Sequence, residues 1–66
     1  MRIVINGEQH DVSDKATLDG VVAVISTSST GIAVAVNGDV VRRAAWPSVT
    51  LAPGDEVEVL TAVQGG

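Results

Sequence analysis

The 66-residue chain has no cysteine and a single histidine, so it offers neither a disulfide nor a plausible zinc ligand set. A chain of this length is expected to form one domain spanning residues 1–66, and a domain of that size buries only about 60% of its unfolded surface. Its apolar core must therefore supply the stability unaided. Hydrophobic residues make up 45% of the chain and are chiefly Val, Ala, Ile and Leu, which is a globular composition.

Basic residues and long apolar runs are also scarce. The formal net charge is −4, with only four Lys and Arg residues to neutralise phosphates, which argues against nucleic acid and favours a basic protein surface as partner. The longest apolar runs, residues 21–25 and 32–36, are far shorter than the roughly 18 residues of a membrane span. A first strand starting at residue 1 leaves no room for an export signal, so we expect a cytoplasmic protein with no membrane partner.

The usual catalytic motifs are missing as well. The chain has no cysteine nucleophile, no GxSxG or HExxH motif and no glycine-rich phosphate loop. His10 is isolated, and a solvated surface position is favoured over a role in proton transfer. Asp55, Glu56 and Glu58 are better explained as a solvated strand face than as a metal site, because cation ligands usually converge from a preformed loop. The sequence therefore predicts neither an enzyme nor a bound metal.

Three other side chains leave alternatives open. Arg42 and Arg43 suit contact with acidic groups of a partner, although exposed arginine pairs more often serve solubility alone. Trp46 suits either the core or an interface, and the core is favoured because the chain has no other aromatic residue to fill space.

Two Asn–Gly pairs, at residues 6–7 and 37–38, predict type I′ hairpin turns. The four strands that flank these turns are predicted at residues 1–5, 8–12, 32–36 and 40–42. Because residues 32–36 are apolar throughout, we expect them to form an inner strand with a neighbour on both edges.

A helix is predicted between the two hairpins. Four apolar residues share the spacing i, i+3, i+4 and i+7 of one helical face: Leu18, Val21, Val22 and Ile25. Thr17 stands at the expected N-cap, and Asp19 favours the positive end of the helix. The β-branched run 21–25 also fits a buried strand, and Gly20 lowers helix stability by about 1 kcal/mol, so helix is the preferred of two interpretations.

The remaining segments connect these elements. Residues 26–31 are a polar loop, and residues 43–53 are an irregular connection because Pro47 should prevent regular structure from continuing after Trp46. A turn at residues 53–55 precedes a last strand over 56–60 with alternating side chains. The order of hairpin, helix, hairpin and strand predicts an α+β fold of the β-grasp type, with a small mixed sheet of about five strands and one helix across one face.

The chain ends in two glycines, Gly65 and Gly66, after a segment expected to be a flexible tail over residues 62–66. Two glycines at a given pair of positions occur in only about 0.5% of chains by chance, which is suggestive without being specific.

The context of this dipeptide resembles the ThiS family of thiamine-biosynthesis sulfur carrier proteins. The resemblance covers VNGDVVRRAAW (36–46) and LAPGDEVEVLTAVQGG (51–66), about half of the chain. The first strand fits more loosely, and the helix lacks the leucine-rich, glutamate-containing pattern usual in that family. The matching tail residues, which the resemblance implies are recognised by partners, are Ala62, Val63, Gln64, Gly65 and Gly66.

The resemblance implies a β-grasp, ubiquitin-like carrier that binds no cofactor itself. An adenylating partner, ThiF-like or MoeB-like, would use ATP and magnesium to activate the Gly66 carboxylate as an acyl-adenylate. A cysteine desulfurase or sulfurtransferase would then supply sulfur, and the resulting thiocarboxylate would be used by thiazole synthase (ThiG). Carriers for molybdopterin or cysteine synthesis, a ubiquitin-like modifier and a plain interaction module remain as alternatives.

Overall fold

The computed structural model describes residues 1–25 and 31–61, and these contain five strands and one α-helix. The elements are β1 (Arg2–Ile5), β2 (Glu8–Asp11), α1 (Leu18–Ile25), β3 (Ile32–Val36), β4 (Asp39–Val41) and β5 (Glu56–Thr61). The strands form one mixed sheet in the order β2-β1-β5-β3-β4. Only β1 and β5 pair in parallel, and the other pairs are antiparallel. The predicted α+β fold class is confirmed.

Both predicted hairpin turns are confirmed by their backbone conformation. Asn6 and Gly7 have φ values of 50° and 83°, and Asn37 and Gly38 have φ values of 51° and 87°. Positive φ at both central residues defines the type I′ turn, whose twist matches that of the flanking strands. Each turn therefore joins its two strands directly, β1 to β2 and β3 to β4.

The helix interpretation of residues 18–25 is correct, and the buried-strand alternative is wrong. The Thr17 hydroxyl accepts a hydrogen bond of 3.3 Å from the Gly20 N–H, which is the predicted N-cap. Leu18, Val21 and Val22 are buried, whereas Ile25 at the end of the helix is 36% exposed. The predicted apolar face therefore packs over its first two turns only.

The core lies between α1 and one face of the sheet. Its buried members are Ile3, Ile5, Leu18, Val21, Val22, Val34, Trp46, Leu51 and Val57. Trp46 is 3% exposed, and its indole N–H donates a 2.9 Å hydrogen bond to the Val41 carbonyl. The core placement of Trp46 is confirmed, because the ring is buried and its polar atom is satisfied.

The prediction of an irregular connection after β4 is wrong, because Arg43–Ser48 form a 3₁₀ helix that includes Pro47. Proline is accommodated because its fixed φ suits 3₁₀ geometry and its missing N–H removes only one bond. The turns on either side are closed by the Ala45 N–H to the Arg42 carbonyl at 2.8 Å and the Val49 N–H to the Trp46 carbonyl at 3.2 Å.

Several strand limits also differ from the predictions by one residue. Met1 and Val12 lie outside the first hairpin's strands, β4 covers 39–41 rather than 40–42, and β5 extends to Thr61. The strand ends are set by which residues find a partner across the sheet: Val36 pairs with Asp39, and Ile32 pairs with Thr61. These partners are not visible in local sequence.

Gly20→Ala should stabilise the protein by about 0.5–1 kcal/mol, because alanine is the better helix former. A Cβ at this position would meet only the Thr17 hydroxyl oxygen at 3.6 Å, an ordinary contact. Urea unfolding of the variant and the parent measures the difference. In the contrasting variant Gly38→Ala, the added methyl meets nothing within 4 Å but the backbone has φ +87°, so stability should fall by about 1–2 kcal/mol. A loss of stability in Gly20→Ala would contradict the helix assignment.

Candidate functional site

The predicted site residues, 62–66, lie outside the described residues, so the site is characterised through the strand that leads to them. That strand is β5, whose last residue, Thr61, pairs with Ile32 of β3. β5 is the central strand of the sheet, with β1 on one edge and β3 on the other. The tail is therefore connected to the best-supported strand of the fold, and Val57, with 1% exposure, anchors that strand in the core.

The Asn6 carboxamide contacts β5 close to the tail. Its Oδ1 accepts a 2.8 Å hydrogen bond from the Val59 N–H, and its Nδ2 donates a 3.3 Å bond to the Val59 carbonyl. The Asn6 backbone N–H also donates to the Val57 carbonyl at 2.9 Å. One turn residue therefore satisfies three backbone groups of β5, and Asn6 is separated from Val59 by 53 residues in the chain.

Asn37 makes the corresponding contacts at the other end of β5. Its Oδ1 accepts a 2.9 Å hydrogen bond from the Glu56 N–H, and its backbone N–H donates to the Glu56 carbonyl at 2.7 Å. Its Nδ2 donates to Asp55 Oδ1 at 3.0 Å, while Asp55 Oδ2 accepts from the Ala52 N–H at 2.8 Å. Asp55 therefore lies just before β5, half-buried, with a structural role at the start of that strand. Its predicted position on a solvated strand face is wrong.

Sequence reasoning identified both Asn–Gly pairs as turns but missed their second function as clamps on β5. Each clamp joins residues far apart in sequence, so no local pattern encodes it. The only available signal was the occurrence of the same pair twice, at residues 6–7 and 37–38, where Gly–Gly or Asp–Gly would have served the turn equally well.

The sheet face turned away from α1 has exposed apolar residues next to β5's end. Ala33 lies opposite Leu60, and Ala35 lies opposite Glu58 on one side and Val40 on the other. Directly opposed residues of an antiparallel pair share a face. Leu60 is 64% exposed and Val40 is 79% exposed, so these side chains form an accessible surface, here called the open-face patch: Ala33, Ala35, Val40 and Leu60.

Glu58 pairs with Ala35, which places a carboxylate directly beside this patch. Glu56 and Glu58 are exposed on β5, as predicted for a solvated strand face, and Arg42 is exposed directly after β4. On β1, Arg2 Nε lies 3.2 Å from Asp11 Oδ1, and this hydrogen bond holds the pKa of Asp11 below its usual value. Within residues 1–25 and 31–61, no three His, Asp or Glu side chains are grouped so that they could hold a metal ion.

His10 lies on the opposite side of the molecule from the patch. Its side chain is 39% exposed and its Nε2 is 3.9 Å from Glu8 Oε1, so it is a partly covered rim residue rather than a fully solvated one. It borders a groove of about 300 Å³ between β2 and α1, with largely apolar walls that include Val21 and Val24. Asp11 and Ser13 also line this groove, and the Ser13 hydroxyl accepts a hydrogen bond of 3.1 Å from the Lys15 N–H.

No helix in the described part of the chain has the length and apolar character needed to cross a membrane.

Comparison with known proteins gives consistent results. The family model of the ThiS family matches residues 3–66. A protein named thiazole synthase from Paramagnetospirillum magneticum is 29% identical over 66 residues, which are all of this chain and 20% of that protein. A thiazole synthase from Magnetococcus marinus is 33% identical over the same length and share. The chain thus spans about a fifth of the length of these curated relatives.

Solved structures of similar proteins have the same architecture. The crystal structure of thiamine biosynthesis protein ThiS from Geobacter metallireducens is 26% identical, with a TM-score of 0.83 and full coverage of both chains. The NMR solution structure of a thiamine biosynthesis protein from that organism has a TM-score of 0.80 at 26% identity, and covers all of this chain and 88% of the other. These neighbours confirm the β-grasp fold and support a sulfur carrier role. With a family model that matches nearly the whole chain and a fold shared along its full length, the protein belongs to the ThiS family.

Proposed function

We propose that this protein is the sulfur carrier for the thiazole moiety of thiamine, and that sulfur is carried on the carboxylate of Gly66. The observation that supports this most strongly is the ThiS family match, which extends to residue 66 and so includes both terminal glycines. The names of the relatives and structural neighbours, thiazole synthase and thiamine biosynthesis protein, point to the same pathway.

The carrier contributes a substrate group and no catalysis. A carboxylate oxygen is a poor leaving group, so an adenylating partner of the ThiF or MoeB type first joins the Gly66 carboxylate to AMP, with loss of pyrophosphate. The terminal sulfur of a persulfide on a cysteine desulfurase or sulfurtransferase then displaces AMP and forms an acyl disulfide. A second thiol attacks the sulfur that belongs to the donor's cysteine, so that a new disulfide forms and the thiocarboxylate is released. The thiocarboxylate formed is a soft nucleophile suited to thiazole synthase. ATP and magnesium belong to the partner, this chain binds no cofactor, and the ATP requirement suits the cytoplasm.

The tail sequence fits this chemistry. Residues 62–66 reach roughly 17 Å when fully extended, enough to enter a partner's active site while the folded body remains outside. Gly65 and Gly66 have no Cβ to obstruct the approach of the last carbonyl to the ATP α-phosphate. Ala62, Val63 and Gln64 offer backbone groups that a partner can bind by strand addition. The chemistry requires a free α-carboxylate on Gly66.

We propose that the open-face patch docks onto thiazole synthase. Leu60 directly precedes Thr61, so a protein that holds the tail also lies against the strand from which the tail departs. In the relatives called thiazole synthase, a segment similar to this chain makes up a fifth of the protein. Such a segment is therefore covalently joined to the rest of the protein in those relatives. Exposed apolar side chains at such a contact lose their solvent exposure on binding, which favours the complex. The nearby carboxylates suit positively charged side chains at the rim of the partner's surface.

Val40→Glu should weaken binding to thiazole synthase by about tenfold or more, because a buried unpaired carboxylate costs more than the apolar contact that it replaces. Val24→Glu is the matched control, since Val24 is 85% exposed, compared with 79% for Val40, and lies on α1 across the core. Titration calorimetry with purified synthase measures both affinities. Equal affinity of the two variants for thiazole synthase would show that the patch is not part of the interface. A Val40→Glu protein that is adenylated poorly but binds the synthase normally would lead to the same conclusion.

The carrier function is tested by incubating the protein with an adenylating enzyme, ATP, magnesium, a persulfide donor and a thiol reductant, followed by intact mass measurement. Exchange of one oxygen for one sulfur is expected. Attachment to lysines would identify a ubiquitin-like modifier, and an unchanged mass would identify a plain interaction module. Loading that supports molybdopterin or cysteine synthesis, but not thiazole formation with purified thiazole synthase, would instead assign the carrier to one of those pathways.

A further inference from the structure

We propose that Asn6 is a positioning residue for the terminal acyl group. Asn6 holds β5 at Val59, and it thereby sets the first residue of β5 at which a partner strand can pair with the open edge. The inference rests on the proposed function, because it concerns how the same tail is delivered. It follows from the geometry of Asn6, Val57, Val59 and Thr61, all of which the structure describes.

β5 is longer than the strand that supports one of its edges. On the β3 side, pairing continues from Val57 to Thr61. On the β1 side, the paired residues are only Glu56 and Val57, because β1 ends at Ile5 and the chain turns away. The last part of β5 therefore extends beyond its neighbour on one edge.

The Asn6 side chain occupies the place that another β1 residue would fill. A carboxamide has the same donor and acceptor groups as a peptide unit, and here both are used by Val59, at 2.8 Å and 3.3 Å. Because the turn has φ 50° at Asn6, the backbone can reverse while its side chain continues the hydrogen-bonding pattern of β1. The exposed carboxamide thus extends the ladder by one residue without adding a strand.

This arrangement has two consequences for the tail. Alternate residues of a strand point their backbone groups to the same edge, so Val57 and Val59 face β1 and Thr61 is the next residue to face that edge. The Asn6 carboxamide already bonds the N–H and the carbonyl of Val59. The first position at which a partner strand can pair on this side is therefore Thr61. Without the carboxamide, Val59 would also accept a partner strand, and pairing shifted by two residues would displace the acyl group by roughly 7 Å.

Asn37 provides an unusually close internal control. Its φ of 51° matches that of Asn6, it is also followed by glycine, and its side chain also makes two hydrogen bonds, one of them to a β5 backbone N–H. However, it binds Glu56, at the end of β5 remote from the tail. Loss of either carboxamide should lower stability to a similar extent, and only loss of the Asn6 carboxamide should affect delivery of Gly66.

The test compares Asn6→Gly with Asn37→Gly, since glycine preserves both turns and removes only the carboxamides. Adenylation by the partner enzyme is measured against carrier concentration at a temperature where both variants are folded. Asn6→Gly should lower kcat by about tenfold, as expected for loss of two hydrogen bonds that orient the substrate, while Asn37→Gly stays within about twofold of the parent. Asn6→Asp, which keeps the acceptor for the Val59 N–H, should recover part of the loss.

A second readout is independent of the partner. Amide hydrogen exchange at Val59, whose N–H donates to the Asn6 carboxamide, should accelerate at least about tenfold in Asn6→Gly relative to Asn37→Gly, as followed by NMR. Equal kcat values for the two glycine variants, or equal exchange rates, would overturn the assignment while leaving the carrier function intact. If the parent protein is itself not adenylated, the proposed function fails, and the positioning role fails with it.

Discussion

Deletion of Gly66 is expected to reduce thiocarboxylate formation by at least about 100-fold while leaving the fold unchanged. The new terminal carboxylate belongs to Gly65 and falls short of the reacting phosphate by one residue, about 3.5 Å, whereas a misplacement of 1 Å already lowers rates by about 100-fold. Folding should be unaffected because the last buried residue in the described part of the chain is Val57, well before the deleted position. Intact mass after a timed reaction with the adenylating partner and sulfur donor measures the loss.

Substitutions within the tail separate length from side-chain bulk. Gly65→Ala adds a Cβ at the narrowest point of the proposed approach and should also reduce loading strongly. Gln64→Ala is its control, because it shortens a side chain at a residue that already has a Cβ, and loading should stay within a few-fold of the parent. Comparable loading of the Gly66 deletion and the parent, with both folded, would contradict the role given to the tail.

Trp46→Ala is expected to leave the protein largely unfolded. Replacing a buried tryptophan by alanine typically costs about 3–5 kcal/mol, and a domain of this length has roughly 3–10 kcal/mol of stability in total. Trp46 is 3% exposed and its ring is the only large aromatic surface in the chain. Circular dichroism and urea unfolding at 25 °C measure the loss.

Trp46→Phe is the graded variant. It keeps most of the apolar volume and loses the indole hydrogen bond to the Val41 carbonyl, so a smaller loss of about 1–2 kcal/mol is expected. A folded Trp46→Ala protein with an unchanged unfolding midpoint would contradict the core role, and would favour the alternative in which this residue contacts a partner.

The sequence predicted those parts of the fold that local chemistry controls. The two Asn–Gly turns require positive φ, which few other residue pairs tolerate, and the structure has it at Asn6 and Asn37. The helix was recoverable because its cap and apolar spacing coincide at Thr17 and Leu18. Trp46 could be assigned to the core because the chain has no Phe, Tyr or second Trp to fill that volume.

Features that depend on contacts across the sheet could not be predicted in the same way. The 3₁₀ helix around Pro47 forms beneath α1, where the burial of Trp46 outweighs one missing backbone bond. The Asn6 and Asn37 clamps join residues that are 53 and 19 positions from their β5 partners. The open-face patch likewise required the strand order, since Val40 and Leu60 are far apart in sequence and share a face only because β3 lies between them.

For the candidate site, the sequence is more informative than the structure. The tail, residues 62–66, was identified from sequence alone, through its glycines and the resemblance to ThiS. The structure adds the support for that tail, namely a central strand held on both edges and clamped near each end. The proposed chemistry therefore takes place at the terminal residue, and β5 with its two asparagine clamps supports the segment that leads to it.

The most direct test of the carrier function locates the sulfur atom itself. The protein is loaded with the adenylating enzyme, ATP, magnesium, a persulfide donor and a thiol reductant, and the intact loaded chain is fragmented in a mass spectrometer. Sulfur is expected to replace oxygen only in fragments that contain the carboxyl group of Gly66. Sulfur found on any other residue, or a loaded protein whose chain continues beyond Gly66, would contradict it.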